Sequence, residues 1–127
     1  MKMKARITKP SEKMLICCGL SPERMETLKM CADDFTAKLV TADDGSLTLG
    51  QLLDGAMGQG EAPADECLVF AGFERNELNA LLESLKMSGL RIPLKAVLTP
   101  HNVGWRLLDL IAELKKEHAQ MTGGGAE

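Results

Sequence analysis

A chain of 127 residues suits one domain and can bury roughly two thirds of its unfolded surface, so its core needs no metal or disulfide staple. With 45% apolar and 26% charged residues it reads as globular; with three Phe, one Trp and no Tyr, base stacking on single-stranded nucleic acid is disfavoured. The net charge of −3 is uneven: Lys2, Lys4, Arg6, Lys9 and Lys13 against Glu12 give the first 13 residues +4 and leave −7 on the rest, an acidic body that excludes a broad nucleic-acid surface.

No segment reaches the roughly 20 apolar residues of a membrane span. "MKMKARITKP" lacks the apolar stretch and cleavage site of a secretory signal. Residues 1–13 read as a disordered basic N-terminus. Cys17, Cys18, Cys31 and Cys67 form no CxxC and no regular framework, so they read as reduced thiols in a cytoplasmic protein.

"MLICCGL" (14–20) is a continuous apolar run ending in Gly, as in a strand buried on both faces. "SPERMETLKMCADDF" follows, with Ser21 as N-cap, Pro22 at the first helical position, and Met25, Leu28, Ala32 and Phe35 as a core-facing stripe. "AKLVT" (37–41) is a second strand, "ADDGS" a turn, and "LTLGQLLDGAM" a weaker helix containing Gly50. "GAMGQGEAPADE" (55–66) has the composition of a mobile linker.

"CLVFAGF" (67–73) is a third strand. "ERNELNALLESLKMSG" is a helix with Leu78, Leu81, Leu82 and Leu85 on one face, closed by Gly89. "IPLKAVLT" (92–99) is a fourth strand with Pro93 near its start. Leu107, Leu108, Ile111 and Leu114 mark a last helix, and residues 121–127, "MTGGGAE", read as a flexible tail.

The pattern occurs twice. Gly19 aligns with Gly72, and "TADDGSLTLGQLL" runs without a gap against "TPHNVGWRLLDLI", setting Asp44 opposite Asn102 and Leu47 opposite Trp105. Two copies make a pseudo-symmetric domain and not a solenoid. The expected fold is α/β: one domain over residues 14–120, repeat 1 at 14–57, linker 55–66, repeat 2 at 67–118. Its four-stranded, mainly parallel sheet, in order 2-1-3-4, is covered by helices.

The second half resembles an uncharacterised bacterial family, Domain of Unknown Function 3783. The resemblance rests on "LVFAGF" at 68–73, "PLKAVLT" at 93–99, Asn102, Trp105 and "EH" at 117–118. It implies no activity. It supports the fold and assigns any shared function to the second half.

In a parallel sheet, four strand-to-helix corners would share one edge: "GLSPE", "TADDGS", "GFERNE" and "TPHNVG". Free N–H groups favour an anionic or carboxylate-bearing ligand at "TPHN" but not at "TADD", where two carboxylates already occupy the corner. Neither GxGxxG nor GxxxxGK[ST] occurs, so no phosphate loop and no cofactor is expected.

The candidate ligand-binding residues are Thr99, His101 and Asn102, which also suit a helix cap; Lys95, a charge inside an apolar strand that also suits a sheet edge; and Thr41 and Asp44 at the matching corner. Lys38 suggests that the second strand is an edge too. Asp43 and Asp44 with His101 form a weak set for a divalent cation, and His118 suits a helix end.

The leading expectation is a noncatalytic module for a small anionic ligand or peptide. The alternative is a homodimeric interaction module, for which eight Met supply adaptable surface. An enzyme using Lys95, His101, or Cys17 and Cys18 ranks third. No nucleic-acid or membrane partner is expected.

Overall fold

The computed structural model describes residues 13–126, and side chains as far as Ala119. Residues 1–12, most of the expected basic N-terminus, lie outside the described residues. Lys13 is held by the fold: its ammonium pairs with Glu77 at 2.8 Å, and its carbonyl accepts from the Lys38 N–H.

The elements run β1 (Met14–Cys18), α1 (Pro22–Asp34), β2 (Lys38–Thr41), α2 (Leu49–Leu53), β3 (Cys67–Ala71), α3 (Arg75–Met87), β4 (Leu94–Val97) and α4 (Leu107–Ala126). The sheet order is β2-β1-β3-β4, as the sequence pattern suggests. Strand direction differs from expectation. β1 pairs with β2 and β3 with β4 in parallel, but the central β1 and β3 are antiparallel, so the sheet is mixed.

Ile16 faces Val69 at the middle of β1 and β3. A two-fold axis through that pair reverses one half against the other, whereas a parallel centre would need a translation.

Alternation along the strands splits the core into two layers. Leu15, Cys17, Leu68 and Phe70 face α1 and α3, meeting Leu28, Cys31, Ala32, Leu81 and Leu85. Ile16, Cys18, Cys67 and Val69 face the other way, meeting Leu49 and Leu52 of α2 and Leu107, Leu110 and Ile111 of α4. At about 25 cal/mol per Å² of apolar area, full burial of each large side chain contributes roughly 1.5–3 kcal/mol.

The local signals of α1 are realised. Ser21 accepts from the Arg24 N–H at 3.3 Å, and Pro22 opens the helix. α2 is shorter than its sequence pattern, five residues held by a reciprocal Thr48–Gln51 box at 2.9 and 3.1 Å. On α4 the inward face is Leu107, Leu110 and Ile111, while Leu108 is 49% exposed. The backbone stays helical through Ala126, where the sequence pattern ended the helix before Met121.

The stretches after β2 and β4 cross the same face of the sheet and pair with each other. The Leu49 N–H donates to the Trp105 carbonyl at 3.0 Å, and the Leu107 N–H to the Leu47 carbonyl at 2.9 Å. The Gly50 N–H donates to Val103 and the Leu108 N–H to Gly45, both at 2.9 Å. Each bond has its counterpart under the alignment that matches Thr41 with Thr99. Thr48 and Arg106 face each other at the crossing.

Candidate functional site

The antiparallel centre divides the corners expected on one edge. "GLSPE" and "TADDGS" leave β1 and β2 at one end of the sheet; "GFERNE" and "TPHNVG" leave β3 and β4 at the opposite end. The candidates therefore form no common pocket. The set of Asp43, Asp44 and His101 is split between the two ends, and no cluster of three or more metal-ligating side chains occurs among the described residues.

At the first end, Asp44 is buried, with 6% exposure. Its Oδ1 accepts from the Ser46 hydroxyl at 2.7 Å and the Ser46 N–H at 2.9 Å, and its Oδ2 accepts from the Gly60 N–H at 2.9 Å. The Gly58 N–H reaches Asp43 at 3.4 Å, and the Gly45 N–H donates to the Glu61 carbonyl. These bonds fasten the 55–66 linker to the corner, although its composition suggested mobility. A side chain on Gly60 would meet the Asp44 carboxylate at 2.5 Å, so that glycine serves close approach. Thr41 is exposed, and its hydroxyl lies 3.9 Å from the Cys17 sulfur.

The Ser46 hydroxyl, then the backbone N–H groups of Ser46 and Gly60, hold the Asp44 carboxyl below its ordinary value. A depressed carboxylate stabilises the fold above its unfolded pKa and loses that contribution as pH falls through the folded one. The wild type should therefore hold its melting temperature down to about pH 4 and lose it below. Asp44→Asn should melt lower at neutral pH and show a flatter acid limb in a series of thermal melts.

At the opposite end, Thr99 and Asn102 close on each other. The Thr99 N–H donates to Asn102 Oδ1 at 2.9 Å, and the Asn102 N–H donates to Thr99 Oγ1 at 3.1 Å. Asn102 Nδ2 donates to the Val97 carbonyl at 3.1 Å, and the His101 N–H to Thr99 Oγ1 at 3.2 Å. The His101 ring meets the edge of Trp105 at 5.6 Å. This cap does not open α4, which starts at Leu107 after the crossing segment; Trp105 belongs to that segment.

Lys95 lies exposed on β4, an edge strand, and its ammonium donates to the Ile92 carbonyl at 2.6 Å. Lys38 is likewise exposed on the other edge. Lys95 borders a groove of about 500 Å³ between α3 and β4. Leu82, Leu85, Leu90, Ile92 and Pro93 make it apolar, Lys86, Arg91 and Lys95 make it cationic, and no carboxylate lines it. It depends on the connection at residues 88–93, six residues where the first half has three, 35–37. That length difference was readable beforehand: the gap-free alignment begins only at Thr41 and Thr99.

Burial pushes the Cys17 thiol up to about 11, more than the Thr41 hydroxyl pulls it down. At neutral pH it is a protonated thiol beside Met25 Sδ at 3.7 Å. Native protein should therefore alkylate at Cys17 far more slowly than a free peptide thiol, as timed iodoacetamide labelling with peptide mapping would show.

By fold this is a three-layer α/β protein with a four-stranded mixed sheet between two pairs of helices. Residues 66–121 match the family model described as Domain of unknown function (DUF3783), which spans β3, α3, the groove, β4 and most of α4. Comparison with curated proteins and with solved structures gives no match. No described helix is long and apolar enough to cross a membrane.

Proposed function

We propose that the protein is a noncatalytic binding module whose ligand is a small amphiphilic anion, an acyl chain ending in a carboxylate, held in the groove between α3 and β4. The observation that carries this reading is the pairing of an apolar floor with three cations that no described carboxylate neutralises, on a chain whose net charge is −3. An alkyl chain on Leu82, Leu85 and Ile92 would lose water-exposed area, and a carboxylate near Lys86, Arg91 and Lys95 would gain charge-assisted hydrogen bonds. Lys95 thus keeps a ligand role, while the polar groups of Thr99 and Asn102 serve the cap.

Calorimetric titration with dodecanoate tests it. Wild type should bind, and Lys86→Glu, Arg91→Glu and Lys95→Glu combined should weaken binding about tenfold or more, since each tenfold is about 1.4 kcal/mol. Equal affinity in the triple variant, or no heat with wild type, overturns the reading.

A homodimer joined through an open sheet edge is the competing reading. Lys38 and Lys95, one on each edge, oppose strand pairing there. The reading also treats the halves as copies of one duplicated unit, which the reciprocal bonds around Thr48 and Arg106 support.

A further inference from the structure

Two thiols outside the groove stand side by side. Cys18, the last residue of β1, is the antiparallel partner of Cys67, the first residue of β3. Both point into the layer under α2 and α4, with 3% and 1% exposure. Directly opposed residues of antiparallel strands have Cα atoms about 4.5–5.5 Å apart, within the range a disulfide spans. Cys17 faces the other layer and Cys31 belongs to α1, so neither competes.

The Cys18 thiol donates to the Asp65 carbonyl at 3.4 Å, and the backbone of Ala64 and Asp65 lies directly on Gly19. That backbone belongs to the linker, which is irregular and fastened at its other end by Asp44. Access for an oxidant requires this backbone to lift from Gly19 while the central strands stay paired.

We propose that Cys18 and Cys67 are an oxidisable dithiol that closes to a cross-strand disulfide by exchange with a low-molecular-weight disulfide. The Cys18 thiolate attacks one sulfur of the oxidant, forming a mixed disulfide and expelling one thiolate, which takes up the proton Cys18 lost. The Cys67 thiolate then attacks the Cys18 sulfur, forming the intramolecular bond and expelling the second thiolate, which takes up the proton of Cys67. The dithiol loses two electrons and two protons, and the oxidant becomes two thiols. The order of attack follows the bond between the two thiols, which holds Cys18 below the ordinary thiol value and pushes Cys67 up.

The test incubates the full chain with glutathione disulfide in native buffer, followed by intact mass and peptide mapping. The expected product has lost the mass of two hydrogens, links the peptides of Cys18 and Cys67, reverts with dithiothreitol, and keeps a native circular dichroism spectrum. Cys17→Ser and Cys31→Ser should leave it unchanged; Cys67→Ser should stall as a mixed disulfide on Cys18. The wild-type map decides the matter even where a variant does not fold. Four free thiols after prolonged incubation, a link through Cys17 or Cys31, or a link formed only after loss of the native spectrum would overturn the proposal.

Discussion

Phe70→Ala is expected to cost about 3–5 kcal/mol, most of the net stability of an ordinary domain of this size. Phe70 is the largest fully buried side chain and sits on the central strand β3. It packs edge-on against Phe73 at 6.0 Å and shares its layer with Leu15, Leu28 and Leu81. Cys17 occupies the matching position of β1 on the same face, and there Cys17→Ala should cost only about 1 kcal/mol because it removes a single sulfur. Urea unfolding of both variants checks the contrast; a Phe70→Ala loss no larger than that of Cys17→Ala would show that the core is not packed as described.

Gly19→Ala carries the second large effect, roughly 3 kcal/mol. Gly19 has φ of +78°, and a Cβ there would run into the backbone of Ala64 and Asp65. Gly89 has nearly the same φ, +82°, with open space around it. Gly89→Ala should therefore cost only the conformational part, about 1 kcal/mol. The difference between the two, read from thermal melts, isolates the contact between β1 and the linker.

Much of the architecture was legible because each signal was local. "SPE" announces the start of α1, Gly89 the end of α3, and lysines at 38 and 95 the two edges. The order 2-1-3-4 set the two strands that end in Gly19 and Gly72 side by side at the centre. Direction was not legible, since a strand covered on both faces reads alike whichever way its neighbour runs. The expectation of two like halves held a clue, because like halves that meet at their first strands are most simply related by a two-fold axis.

The linker's contacts are hidden in its composition for a related reason. Gly58 and Gly60 look like mobility in a sequence, but here they admit a carboxylate from 14 and 16 residues upstream. At the candidate site, Lys95 stood out as a charge in an apolar strand, whereas its companions Lys86 and Arg91 lie on different elements and converge only in the folded chain. Asn102 and Thr99 read as the cap of the last helix; they close a turn ahead of the crossing instead, and α4 starts only at Leu107, after contact with the other half.

The crossing at Thr48 and Arg106 also bears on how the chain can be divided. A fragment limited to residues 66–121 would keep β3 but lose β1, leaving the most apolar strand of the molecule as a bare edge. It would also lose the stretch that pairs with Val103–Leu108. The surface that complements both losses is a second copy of the fragment, with Val69 meeting Val69 and Arg106 meeting Arg106 across a true axis. Such a fragment is expected to sediment as a dimer or to aggregate, because its bare β3 edge and unpaired crossing stretch each lack the partner that the first half supplies.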